Sequence, residues 1–164
     1  MKSKVLALIL LCGAASLGAK VKLPALVGDN MILQQQTEVK LWGTAAPEAE
    51  VRVTPSWNGQ TMTCRADKDG GWTLAVETPA AGYTPYEITF DDGEKTTLKN
   101  ILIGEVWLAS GQSNMEMPLK GFAGCCIMNG ADDIIVSAEN KGVRMFTVPK
   151  HQTYELQTDC KGSW

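Results

Sequence analysis

A serine just past a short apolar run and a tight-turn signal is the residue of this sequence best placed to do chemistry. Residues 104–117 read Gly-Glu-Val-Trp-Leu-Ala-Ser-Gly-Gln-Ser-Asn-Met-Glu-Met. Val106 to Ala109 are apolar, Ser110-Gly111-Gln112 form a turn signal, and Ser113 stands where a short helix can begin. Serine hydrolases hold a nucleophile in this way: a buried strand ends in a tight turn, and the hydroxyl projects from the carboxyl edge of a sheet. A helix start adds free backbone N–H groups and a partial positive charge. Both suit a developing oxyanion, so the N–H of Ser113 is itself a candidate oxyanion donor.

A structural role fits the same residues. Ser113 and Glu116 have the spacing of a capping box, in which serine accepts from the N3 amide and glutamate accepts from the N-cap amide. Pro118 weighs against that role, because a proline five residues on breaks the helix the cap would start. The pattern also departs from the Gly-x-Ser-x-Gly elbow. Gly111 is present, but Met115 occupies the second glycine position.

The elements that would position this serine change rhythm near residue 103. Seven short strands are expected before it: Met31–Leu33, Val39–Thr44, Glu50–Thr54, Gln60–Ala66, Trp72–Glu77, Tyr86–Phe90 and Thr96–Ile103. Val51 and Val53 alternate with Glu50, Arg52 and Thr54, the period of a half-buried strand. Asn58-Gly59 and Asp92-Gly93 are hairpin turns by type. Residues 20–103 therefore predict a small antiparallel β-sandwich. Asp67-Lys68-Asp69-Gly70 faintly matches a calcium loop but lacks the third acidic ligand and the distal glutamate, so a tight turn is expected. Trp42, Trp57, Trp72, Tyr83 and Tyr86 either pack the core and rim or line a carbohydrate platform.

From Ile101 the pattern turns α/β. Residues 105–110 are a nearly continuous apolar run, expected of a strand covered on both faces. Residues 131–141 place Ile134, Ile135 and Ala138 at helical spacing, with Asp132 and Asp133 first and Gly142 as a stop. Val143–Val148 then reads as the next strand, completing one βαβ unit in residues 104–164. A doubly wound sheet needs more such units.

Residues 1–19 have the pattern of a secretory signal peptide. Lys2 and Lys4 precede an apolar stretch from Val5 to Cys12, and small residues run from Ala14 to Ala19. The expectation is an exported protein, periplasmic or extracellular, with no membrane anchor after the leader is removed. Removal takes two lysines and no acids, moving the formal net charge from −3 to −5. An acidic chain without basic clusters argues against nucleic acid as a partner. Cys64, Cys125, Cys126 and Cys160 follow the leader; four cysteines allow three pairings, and buried thiols or disulfides suit them better than catalysis. With no Cys-x-x-Cys pair and one histidine, a structural metal is not expected.

The stretch from Gly104 to Leu119 resembles the nucleophile block of the sialate O-acetylesterase family, which belongs to the SGNH/GDSL-type hydrolases. Asp29-Asn30-Met31-Ile32-Leu33-Gln34 is similar to the block that opens the family's small β-domain, and Trp42-Gly43 and Gly71-Trp72 fall where the family tends to have them. The resemblance implies the start of an SGNH-type doubly wound hydrolase domain at residues 104–164. It also implies a serine carboxylic-ester hydrolase that removes acetyl groups from sialic acids or related sugars. Ser113 would be the nucleophile and form an acetyl-enzyme, with no metal or organic cofactor.

The family's base is a histidine with an aspartate three positions before it. Here the sole histidine is His151, and Val148 stands in the aspartate's place, so the match fails. His151 is therefore not expected to be the base, and Asn114 is not the family's oxyanion asparagine. A truncated hydrolase domain, silent by itself, is the expectation. Two other readings stay open: a carbohydrate-binding or adhesive β-sandwich module without catalysis, and an acetylesterase acting on plant polysaccharide such as xylan.

Overall fold

A computed structural model of the chain describes residues 20–118, 124 and 142–164. The expected leader (1–19), the expected helix (131–141), Cys125 and Cys126 lie outside the described residues. What is described is mostly β-sheet, with a single four-residue 3₁₀ turn as its helical content. Among these residues no helix is long and apolar enough to cross a membrane.

Seven strands form: β1 (Ile32–Gln34), β2 (Glu38–Thr44), β3 (Glu50–Pro55), β4 (Met62–Arg65), β5 (Gly71–Glu77), β6 (Gly82–Asp91) and β7 (Lys95–Gly104). Five make one sheet in the order β1-β7-β6-β3-β4, and β2 pairs with β5 in a two-stranded ribbon. Alternation explains the packing. In β3, Val51, Val53 and Pro55 are buried between exposed or half-buried neighbours; in β5, Trp72, Leu74 and Val76 are buried between exposed ones. The two inward faces share one core, in which Trp72 of the ribbon meets Phe90 of the large sheet with ring centroids 5.8 Å apart. Burial of such side chains contributes about 1.5–3 kcal/mol each, the main force holding the sheets together.

Gly43 explains the pairing of Trp42-Gly43 with Gly71-Trp72. It lies opposite Trp72, and a Cβ there would sit 2.9 Å from the indole and 2.4 Å from the Lys22 carbonyl oxygen. Asp67-Lys68-Asp69-Gly70 is a tight turn: Asp67 Oδ1 accepts the N–H groups of Asp69 and Gly71, both at 2.8 Å.

Three features differ from the expectations. The first is one parallel pairing, of β1 with β7, so the large sheet is not wholly antiparallel. The second concerns residues 105–110, which are irregular and exposed rather than a buried strand; Trp107 is 87% exposed and Leu108 93%. A strand needs neighbours to satisfy its backbone, and none of the described strands flanks this run. The third is Val143–Val148, likewise without strand structure and largely exposed for the same reason. The expected βαβ unit therefore lacks both of its strands here, and its helix lies outside the described residues.

Candidate functional site

Ser113 opens the 3₁₀ turn Ser113–Glu116, and all four residues are exposed. The capping residue is Gln112, and no side chain caps the turn, so the Ser113–Glu116 capping box is not formed. The N–H of Met115 donates to the Gln112 carbonyl (2.9 Å), which closes the turn. Gly111 makes the bend that precedes it. Its φ is +155°, and a Cβ would meet Met115 Cγ at 2.8 Å, so a side chain would strain the turn carrying Ser113. In such a turn the first amides find no partner within the turn, so the Ser113 N–H is available as a donor. Four residues are too few for the field of a longer helix, so what remains of that expectation is the amide itself.

What anchors this segment is the block Asp29–Gln34, which the sequence marks as a short strand and as a family-like block but not as an anchor. Gln34 ends β1 and grips the chain just beyond β7. Its Oε1 accepts the Val106 N–H (2.9 Å), and its Nε2 donates to the Glu105 carboxylate (3.0 Å). Gln35 donates to the other Glu105 oxygen (2.6 Å), while its own Oε1 accepts the Ala81 N–H (2.8 Å). These bonds, that from Gln34 foremost and then that from Gln35, favour the ionised form and hold the Glu105 carboxyl below its usual range.

The other end of the block fills a bulge. Ile88 pairs with Leu98 but Tyr86 pairs with Ile101, so β7 carries an extra residue, and Asn100 takes a positive φ of 59°. Asp29 Oδ1 accepts the Lys99 N–H (2.7 Å), and Asn100 Nδ2 donates to Asn30 Oδ1 (2.7 Å). Arg144 then closes the corner. Its guanidinium donates to the carbonyls of Asn30 (2.8 Å), Met31 (3.2 Å) and Asn100, and to Asn100 Oδ1 (2.9 Å). Partial burial there lowers the Arg144 pKa from its ordinary value.

Arg144 belongs to a carboxyl-terminal strap that is irregular but pinned. Asp159 Oδ1 accepts the Ala25 N–H (3.0 Å), and Trp164 Nε1 donates to the Leu26 carbonyl (2.9 Å) while its ring stacks edge-on against Phe146. Lys150 pairs with Glu116 at 2.7 Å, which brings the strap beside the turn of Ser113. His151, next along, is exposed, and among the described residues no side chain hydrogen-bonds the Ser113 hydroxyl. Asn114 is exposed in the turn, and its carbonyl accepts the Met117 N–H (3.3 Å). Cys64 and Cys160 are both free thiols and are not bonded to each other; burial raises the Cys64 pKa.

A shallow groove of about 610 Å³ lies away from Ser113, lined by Trp42, Trp72, Arg65, Asp67, Lys22 and Asp159 among others. Of the aromatic residues considered for a carbohydrate platform, it gathers only the two tryptophans. Trp57 packs against Tyr86 instead, with ring centroids 5.7 Å apart, and Tyr83 is exposed on β6. Among the described residues no three His, Cys, Asp or Glu side chains gather as metal ligands would.

No protein-family model matches the chain. Curated relatives do. The sialate O-acetylesterase of Rattus norvegicus is 28% identical over 174 residues, covering 97% of this chain and 31% of that protein. The human sialate O-acetylesterase is 29% identical over 161 residues, covering 91% of this chain and 29% of that protein. Among solved structures, a carbohydrate acetylesterase from Xanthomonas citri superposes with a TM-score of 0.76 at 32% identity, covering 88% of this chain and 32% of the other. The chain thus spans about a third of the length of the relatives it matches. Along most of its length, in both sequence and fold, the chain is similar to these carbohydrate acetylesterases.

Proposed function

We propose that this chain carries the β-domain and the nucleophile-bearing segment of a carbohydrate O-acetylesterase that acts on sialic acids or related acetylated sugars. The observation that carries the reading is the likeness to acetylesterases across most of the chain, with Ser113 exposed at the head of its turn. Residues 20–103 are assigned to a small β-sandwich, residues 104–164 to the start of an SGNH-type hydrolase domain, and residues 1–19 to a cleaved leader of an exported protein.

In the reaction, Ser113 Oγ attacks the acetyl carbonyl carbon while a general base takes its proton. Negative charge gathers on the carbonyl oxygen, and the Ser113 N–H is assigned as one donor that stabilises it. Collapse expels the sugar oxygen, which leaves as the hydroxyl with a proton returned by the base. Water then attacks the acetyl-enzyme and releases acetate. His151 is not assigned the role of base, because it is exposed and Val148 stands where its aspartate partner would be. An unassisted serine hydroxyl is a poor nucleophile, so the isolated chain should be close to silent.

The test is a serine-directed phosphonate together with an acetate-release assay on the complete protein. Labelling at Ser113, lost in Ser113→Ala along with turnover, is the expected result. Turnover retained in Ser113→Ala would end the reading. A carbohydrate-binding module without catalysis is the second reading, for which the groove beside the half-buried Trp42 offers a place to bind. Glycan binding that perturbs Trp42, with no labelling of Ser113, would select it.

A further inference from the structure

Two consecutive glutamines at the end of β1 make contact with the chain that leads to Ser113, and between them they engage both carboxylate oxygens of Glu105. Gln34 works in both directions at once. Its carbonyl oxygen accepts the Val106 N–H, and its amide nitrogen donates to Glu105 Oε2. Gln35 completes the carboxylate through Oε1 and is itself oriented by the Ala81 N–H. The Gln35 N–H also donates to the Gly104 carbonyl (2.9 Å), so the grip begins where β7 ends. Beyond Val106 the segment is exposed and unpaired by any described strand until the turn at Ser113 closes on itself. The contacts nearest the sheet are those at Glu105 and Val106, and Lys150 meets the segment again at Glu116, on the far side of Ser113.

We propose that Gln34, acting through Glu105 and Val106, is a positioning residue for Ser113: it fixes the departure of the nucleophile-bearing segment from the sheet. This rests on the reading of Ser113 as the nucleophile. It goes beyond that reading by assigning a role to a side chain 71 residues before Glu105 in the chain. Hydrogen bonds to a charged group are stronger than neutral ones, and a carboxylate held at both oxygens fixes angle as well as distance, which suits the pair to orientation. A catalytic hydroxyl misplaced by even about 1 Å loses on the order of a hundredfold in rate, so control of the departure angle matters to chemistry that Gln34 never touches.

The atoms suggest a reciprocal exchange as the test. In Gln34→Ala both bonds are lost. In Gln34→Glu two carboxylates face each other. When Gln34→Glu is combined with Glu105→Gln, all the bonds can be remade in reverse. The amide introduced beyond β7 donates to the carboxylate introduced at the end of β1. That carboxylate also accepts the Val106 N–H, and the introduced amide oxygen accepts from Gln35.

Amide exchange on the 164-residue chain reads the clamp without reference to catalysis. Exchange at Val106 should rise roughly tenfold in Gln34→Ala and Gln34→Glu, the factor that loss of one such hydrogen bond brings, and fall back in the double variant. The interiors of β6 and β7 should be unchanged, which shows that the fold survives. In the complete protein, kcat for an acetyl ester should fall with KM steady in the single variants and recover in the exchange. Exchange rates at Val106 that ignore Gln34→Ala would overturn the clamp. Exchange that rises while kcat holds, in a protein that Ser113→Ala silences, would overturn the positioning role. A protein indifferent to Ser113→Ala would instead overturn the esterase reading and reduce the clamp to a structural contact.

Discussion

The β-body of residues 20–104 and the segments that follow it use similar apolar residues to opposite effect. In the body, Val51, Val53, Val76, Ile88, Phe90 and Ile101 are fully buried. Past Gly104, Val106, Trp107, Leu108, Val143, Met145 and Leu156 are all exposed. Composition does not separate the two regions. Pairing does, because each strand of the body has a neighbour that satisfies its backbone, whereas the later segments are held by individual side chains: Gln34, Arg144, Asp159 and Trp164. Ser113, carried on such a segment, owes its position to a few polar contacts rather than to a core.

The sharpest way to separate the regions is by what each mutation destroys. Ser113→Ala in the complete protein should lower acetyl-ester turnover by about 10⁴-fold or more while leaving the melting temperature nearly unchanged. Phe90→Ala should do the reverse, costing about 3–5 kcal/mol in denaturant unfolding through loss of its contact with Trp72. Arg144→Ala removes the charged donor from the Asn30–Asn100 corner, and a loss of about 1.5–3 kcal/mol is expected, with raised amide exchange spreading along the strap. Leu108→Ala should shift unfolding of this chain by less than about 0.5 kcal/mol, since the side chain is already in solvent. A large loss there would show that the run is packed and would erase the contrast.

The smallest effect is one of pH. Because the folded-state pKa of Glu105 is depressed, its contribution is present above the unfolded carboxylate pKa and is lost as pH falls through the lower folded value. The side-chain amide resonances of Gln34 and Gln35 should therefore move together on acidification, with a midpoint below that of an ordinary glutamate. A midpoint at the ordinary value would show that the clamp does not persist in solution.

All seven strands are legible in the sequence because each announces itself locally, by alternation as in Val51 and Val53 or by a turn such as Asn58-Gly59 and Asp92-Gly93. Their ends move by a few residues, most at β6, which begins at Gly82 rather than Tyr86. What is not legible is non-local. The parallel pairing of Ile32 with Leu102, the bulge at Asn100 and the grip of Gln34 on Glu105 each join residues far apart in the chain or depend on such a partner. No periodicity encodes those partners. The run at 105–110 misleads for a related reason: an apolar run signals burial only if something covers it. Ser113 stands out by residue type and setting, whereas the glutamines that hold its segment are ordinary polar residues in a sequence and acquire meaning only through the bonds they make.

The parallel pairing of β1 with β7 also dictates an order of events during synthesis. Hairpins such as β3–β4 and β6–β7 join neighbours in sequence and can close as they emerge, whereas β1 must wait for a partner about seventy residues downstream. Until β7 is made, Met31 and Leu33 have no strand to cover them, and the side chains of Asp29, Asn30 and Gln34 have nothing to hold. Loop closure over that distance is slow relative to hairpin formation. The residues that follow β7 leave the ribosome next, so Glu105 emerges at about the moment that pairing with β7 sets Gln34 in place to meet it.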